Sequence, residues 1–411
     1  MNSVEQARVI VFRHARPLSS EKLPLHESLG RVLAEDIVSP CDSPPFDKAT
    51  MDGYAVRSTD VADGEAELEL VEEITAGQVP TLSVTSGTTT RIMTGAPMPD
   101  GADAVVMVEK SEVVANESDT QRVRLRDVNV RPGQNVIARG TAIRRGDEAL
   151  ANGRMIGPVE TGVLAEMGIT RVPVYRFPTV AVLATGNELV PADASPAAGQ
   201  IRNSNGPMLR ALVEQAGGRV ADLGIGRDDA DELERLIRRG LEADILVLSG
   251  GVSAGVLDLV PEVFARLGIQ QVFHKVKLKP GKPLWFGVSQ GGGIEKLVFG
   301  LPGNPVSSLV CFELFVRPAI SGLAGRQSGR LQLQPAVLVA DHHHRGDRPT
   351  FFPARYREEH DERRTACVEP LTWHGSADLF TLSHADCLIV FPPGERHFSA
   401  GEMIDVYRLG K

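Results

Sequence analysis

Two glycine-rich segments carry the clearest chemistry in this chain. Ser249-Gly250-Gly251-Val252-Ser253 follows one apolar run, and Gly300-Leu301-Pro302-Gly303-Asn304-Pro305 follows another. Adjacent glycines let backbone N–H groups approach a phosphate-like anion closely. A helix that opens directly after such a loop points its N-terminus at the same anion. An ordinary tight turn would use the same residues, so the pair gains meaning only if several such loops converge.

Charged residues stand beside these loops. In His274-Lys275-Val276-Lys277-Leu278-Lys279-Pro280-Gly281-Lys282-Pro283 the lysines alternate with apolar residues. In a strand, Lys275, Lys277 and Lys279 would share one face. A solvated edge strand accounts for Lys277, whereas Lys282 on its Pro-Gly turn suggests compensation for a highly charged ligand. Asp52, Glu188, Asp228 and Asp258 each lie next to a glycine or an expected strand end. A few carboxylates plus ligand oxygens is the usual way to hold Mg²⁺, although each alone reads as a cap or a surface charge, Asp228 as a helix cap in particular. His342-His343-His344 lacks the i, i+4 spacing of a zinc helix and reads as a solvated loop. Met51-Asp52-Gly53-Tyr54 and Thr94-Gly95-Ala96-Pro97-Met98-Pro99 read as turns.

The elements that would position these residues follow from periodicity. Residues 180–184 are a continuous apolar run and residues 244–248 are apolar after Asp244, as expected of strands buried on both faces of a parallel sheet. A further strand is expected at 296–299, with helices at 207–215, 228–241, 260–267 and 306–314. Right-handed crossovers would bring the three strand-end loops to one edge, where ligands of such sheets bind. Residues 170–326 therefore read as a doubly wound α/β domain that holds an anion. Before it come helices at 3–14, 25–36 and 155–168, and a β-rich stretch at 50–142 with strands at 68–74, 87–93, 104–110 and 123–128. After 326 short strands return.

Composition narrows the function. The 411 residues suit two to four domains, and 42% apolar against 24% charged residues is globular. Aromatics are 5% and the net charge is -9, which disfavours general binding to nucleic acid or to an anionic membrane. Cys41, Cys311, Cys367 and Cys387 form no Cys-x-x-Cys pair, so neither a zinc ribbon nor a redox motif is indicated. No run approaches eighteen apolar residues, and residues 1–10 lack a long apolar core, so a cytoplasmic protein is expected.

Six segments in order resemble the MoeA family, the molybdopterin molybdenumtransferases, which include the E domain of gephyrin. They are Met51 to Ala55, Arg91 to Pro97, Thr185 to Leu189, Ser249 to Ser253 with Gly255 and Asp258, Lys279 to Pro283, and Gly300 to Pro305. The resemblance implies a multidomain α/β plus β protein. Residues 1–45 and 144–172 would form an elongated N-terminal domain and 46–143 an inserted β-rich domain. Residues 173–326 would be a doubly wound molybdopterin-binding α/β domain, and 327–411 a small C-terminal β barrel-like domain.

It also implies a Mg²⁺-dependent transferase that inserts molybdate into adenylylated molybdopterin and releases AMP. Asp52, Thr94, Glu188, Asp228, Asp258, Lys275 and Lys279 would be catalytic, with the four carboxylates as metal ligands. Ser249, Gly250, Gly251, Ser253, Lys282, Pro302, Gly303, Asn304, Arg355 and Ser376 would bind the substrate. The implied assembly is a homodimer with its active site between subunits. Molybdopterin adenylyltransferase and molybdoenzymes would be its partners. Ala142 stands where the family often has a carboxylate, with Asp147 as a nearby substitute. An adenylyltransferase or a non-catalytic cofactor scaffold are the alternative readings.

Overall fold

In the computed structural model, residues 1–114, 121–251, 259–291, 294–326, 332–358 and 366–410 are described. The chain divides into two compact units, one of residues 1–34 with 171–411 and the other of residues 35–170.

The larger unit is built on a six-stranded sheet. Its order is Arg219–Gly226, Thr179–Thr185, Ile245–Ser249, Ile294–Leu301, Trp285–Gly291 and Gln270–His274. The first four strands are parallel, and the last two add an antiparallel edge. The reason lies in the apolar runs. Successive side chains of a strand point to opposite faces. Val180 and Val182 enter one core with Ile245 and Val247, while Ala181 and Leu183 enter a second with Leu246 and Leu248. Both faces therefore need helical cover. Val4–His14, Asn205–Gln215 and the helical run from Pro305 supply apolar residues to the first core. Ala230–Gly240 and Val260–Arg266 supply them to the second.

The run Pro305–Leu323 is 19 residues long with a mean hydropathy of 1.4, enough on composition to cross a membrane, yet 83% of it is buried inside the protein. It is a core helix. A π-helical turn at Phe312–Val316 interrupts it around Glu313. The buried Glu313 carboxylate accepts from Arg317 Nε at 2.7 Å and from the Tyr407 hydroxyl at 3.1 Å. Burial, and next the Glu313 charge, raise the Tyr407 phenol well above its ordinary range. Tyr407 belongs to a closed barrel of Gln334–Leu338, Ala366–Pro370, Thr350–Glu358, Cys387–Phe391 and Met403–Arg408. Glu313 thus joins the core helix to the barrel.

The smaller unit holds a six-stranded sheet in the order Ala104–Met107, Gly53–Val56, Thr88–Ile92, Glu65–Ile74, Arg122–Arg126 and Ser111–Val114. Gly53 is required there by close strand packing, since a Cβ would lie 2.0 Å from the Val106 carbonyl oxygen.

Three expectations are corrected. Residues 25–36 are not a helix but a single 3₁₀ turn, Leu25–Glu27, followed by extended chain. Gly30, at φ 76°, ends the turn. Tyr175 N–H then donates to the Val32 carbonyl and Ala34 N–H to that of Pro173, at 2.9 and 3.1 Å, so sheet-like pairing replaces the helix. The lysine alternation is not a strand. The strand ends at His274, and Lys275 takes φ 71°. Val276 and Leu278 still turn inward, which explains the alternation without a ladder. Finally, His342–Gly346 is not a solvated loop but a strand paired with Gly394–Phe398.

Replacing Glu313 by Ala leaves Arg317 without its buried carboxylate partner. We expect a loss of about 3 kcal/mol, the scale for breaking a buried ion pair. Urea unfolding followed by Trp285 and Trp373 fluorescence, both in the larger unit, would test this. A loss below about 1 kcal/mol, the range of exposed pairs, would remove Glu313 as the joint.

Candidate active site

The carboxyl ends of the parallel strands carry the glycine loops and two of the expected carboxylates, Glu188 and Asp228. After Thr179–Thr185, the Asn187 backbone N–H donates to the Asp228 carboxylate at 3.2 Å, and Asp228 N–H donates to the Asn187 side-chain oxygen at 3.1 Å. This reciprocal pair ties two adjacent strand ends together. Asp229, not Asp228, caps the following helix by accepting from Glu232 N–H at 2.9 Å. Asp228 is left exposed at the edge with Glu188. The Glu188 carboxylate folds over Gly186, where a Cβ would come within 2.4 Å of it.

The other two strand ends are clipped by one side chain. Asn205 is buried, and its amide nitrogen donates to Ser249 Oγ at 2.7 Å and to the Gly303 carbonyl at 2.6 Å. Gly250 N–H donates to the Leu301 carbonyl at 3.1 Å. Gly250 sits at φ 97°, and a Cβ there would lie 2.5 Å from the Thr185 carbonyl oxygen. Only glycine permits that approach of three strand ends. Ser253 and Asp258 lie outside the described residues.

The barrel closes over the third loop. Asn304 Nδ2 donates to Ser376 Oγ at 2.9 Å, and Val306 N–H donates to the Ser376 carbonyl at 3.1 Å. The lysine loop is laced to the barrel from the other side. Lys279 N–H donates to the Pro349 carbonyl at 3.0 Å and Phe351 N–H to that of Lys279 at 2.8 Å. Gly281, at φ 114°, turns the chain so that Lys282 is exposed. Between these elements lies a cavity of about 650 Å³ lined by Lys279, Lys282, Pro302, Asn304 and Ser376.

The same cavity is lined by residues that sequence reasoning missed: His342, His343, His344, Arg345, Arg348 and Trp373. Lys279, Lys282, Arg345 and Arg348 are all among the lining residues of this cavity in an acidic protein, with Arg345 3.5 Å from Glu395 and Arg348 2.9 Å from Asp347. Lys275 and Arg355 are not in its lining, nor are Glu188, Asp228, Ser249, Gly250, Gly251 and Gly303. Arg355 lies on the barrel strand, 3.9 Å from Glu369. A clue to the arginines was available in Arg345-Gly346-Asp347-Arg348, a basic turn beside the histidines.

Matches to known families extend over nearly the whole chain. Residues 2–168 match the MoeA N-terminal region (domain I and II), residues 181–322 a probable molybdopterin binding domain, and residues 335–409 the MoeA C-terminal region (domain IV). A molybdopterin molybdenumtransferase of Staphylococcus epidermidis is 35% identical over 98% of this chain and 94% of its own. One from Staphylococcus aureus is 36% identical over the same shares. The crystal structure of the molybdopterin biosynthesis MoeA protein of Pyrococcus horikoshii superposes with a TM-score of 0.83 at 32% identity, covering 100% of this chain and 99% of that one.

The chain belongs to the MoeA family. Two of its motif residues, Asp52 and Thr94, lie in the smaller unit. Asp52 Oδ1 accepts from both the backbone N–H and the hydroxyl of Thr94, each at 2.7 Å. Those two donors, the backbone one first, hold the Asp52 carboxyl below its usual range. Asp147, expected to substitute for a carboxylate at Ala142, accepts from Arg144 N–H at 3.1 Å within its own turn. Among the described residues, no three His, Cys, Asp or Glu side chains cluster closely enough to cage a metal.

Two substitutions test the positioning. Asn205→Ala should cost about 1–3 kcal/mol, because the buried Ser249 hydroxyl and Gly303 carbonyl lose their donor, and should widen hydrogen exchange at both loops. Unchanged exchange would mean the clip is dispensable. Thr94→Val removes one donor from the Asp52 carboxylate, so its depressed pKa should rise toward the unfolded value and the carboxylate should protonate at higher pH on acidification. Carbon NMR of the Asp52 carboxyl reads this directly, and an unmoved titration would discard the pairing.

Proposed function

We propose that this chain inserts molybdate into adenylylated molybdopterin and releases AMP, forming molybdenum cofactor. The observation that carries the reading is the cavity lined by Lys279, Lys282, Arg345 and Arg348 beside the Asn304–Ser376 pair. Molybdate is a tetrahedral dianion and its acceptor carries phosphates, so the substrates need this excess of positive charge. The names of the two staphylococcal relatives support the same reaction.

The protein's part is binding and electrostatics rather than covalent catalysis. The exposed Lys282 ammonium and the Lys279 side chain, both lining the cavity, suit oxyanions. The nucleophilic sulfurs belong to the substrate. No cysteine lines the cavity, and burial pushes the Cys311 thiol far above its ordinary range. Glu188 and Asp228 would hold Mg²⁺ together with Asp258 and Asp52. Two open carboxylates on adjacent strand ends fit an ion that keeps most of its ligands as water and phosphate oxygens. Bound there, the ion would neutralise phosphate charge. The chain would act as a homodimer in which the partner subunit's inserted domain completes the site with its Asp52–Thr94 pair.

Purified protein supplied with molybdate, Mg²⁺ and adenylylated molybdopterin should yield active cofactor and stoichiometric AMP. No AMP release under those conditions would sink the proposal. Asp258→Ala should lower turnover at least tenfold while leaving the unfolding curve unchanged, and wild-type turnover would take Asp258 out of the site.

A further inference from the structure

One group in the cavity has no role in the reading above. The strand His342–Gly346 places His342 and His344 on one face, and both line the cavity. Each imidazole stacks on Phe391, with centroids at 4.5 and 4.9 Å and planes within 11°. The His344 ring is therefore fixed in plane and direction. It is only 5% exposed, and its Nε2 is buried without a hydrogen-bond partner. A buried polar atom in a native protein normally has a partner. The space beside it is kept open by a glycine. A Cβ on Gly346 would lie 3.1 Å from His344 Nε2 and 3.3 Å from Thr350 Oγ1, so both polar atoms border the same gap.

Resting on the proposed function, we infer that His344 carries protons during molybdate insertion, accepting at Nε2 from a dithiolene thiol and donating to the molybdate oxygen that leaves. The balance is closed. The dithiol and the molybdate dianion give a trioxomolybdenum dithiolene dianion and one water. Two S–H bonds and one Mo–O bond break, two Mo–S bonds form, and both thiol protons depart with the released oxygen. Molybdenum is neither oxidised nor reduced, so no further reactant is needed.

The surroundings suit such a carrier. Burial, and next the Lys279 charge, followed by His342 and His343, lower the His344 pKa, so the free protein holds a neutral imidazole able to accept. Molybdate and phosphate reverse that field on binding and favour the imidazolium. Neutral imidazole then returns when the proton passes to the departing oxygen. General acid–base groups of this kind contribute roughly a hundredfold or more.

The test uses full-length His344→Gln, His344→Ala and Gly346→Ala with adenylylated molybdopterin and molybdate in single turnovers across pH. The Gln variant should insert molybdate about a hundredfold more slowly, lose the limb of the rate profile that imidazole titration imposes, and bind molybdopterin as the wild type does. Added imidazole should restore part of the rate to the Ala variant. Gly346→Ala, which narrows the gap beside Nε2, should slow insertion without changing the pH limb. A Gln variant with wild-type rate and profile overturns the inference. If that variant does not fold, nitrogen NMR of the wild-type histidines decides. The His344 Nε2 signal should shift on adding molybdate to the molybdopterin-bound protein, and an unmoved signal overturns the inference. An inactive wild type would fell the proposed function itself, whereas an active wild type indifferent to His344 would fell only this step.

Discussion

A parallel sheet buried on both faces can meet a ligand only at its ends. That constraint governs the larger unit. Val180 to Ala184 and Ile245 to Leu248 give alternate side chains to two separate cores, and helices cover each. Polar chemistry is thereby excluded from the faces and gathered at one edge. Three strand ends must then approach one another closely, and two devices allow it. Gly250 lets the chain pass the Thr185 carbonyl where any Cβ would collide. Asn205 bridges Ser249 and Gly303 with one amide nitrogen.

The barrel completes what the sheet edge begins. Glu313 anchors it at the core helix through Tyr407, and Asn304 meets it at Ser376. With the lysine loop laced to Phe351, these joints hold a pocket in which cations outnumber anions although the chain carries a net charge of -9. Local field, rather than overall charge, decides what such a pocket binds. The unpartnered His344 nitrogen belongs to this pocket and to no structural network in it.

The strands and helices of the sheet domain were legible because their signals are local. Apolar runs marked the strands at 180–184 and, after Asp244, 245–248, and amphipathic spacing marked the helix at Ala230–Gly240. Where the local signal was ambiguous, tertiary pairing overrode it. The spacing of Leu29, Val32 and Leu33 imitates a helix, yet the chain there pairs its backbone with residues 173–175. The lysine alternation imitates a strand, because any extended segment lying on a core buries every second residue. Asp228 read as a cap, but its neighbour Asp229 took that position and left Asp228 at the edge.

By itself, then, the sequence determined the apolar patterning, the glycine loops and the six motif segments, and with them the sheet, the edge and the family. Those depend on residue type and short spacing. Only the tertiary structure decided which side chains share a space. It brought Lys279, Asn304, Arg348 and Ser376 to one cavity, left Arg355 against Glu369, and turned His342-His343-His344 from a run of polar residues into one wall of the site. The physical reason is that a cavity is formed by surfaces distant in the chain. No spacing rule along the sequence encodes the meeting of a sheet edge with a barrel strand.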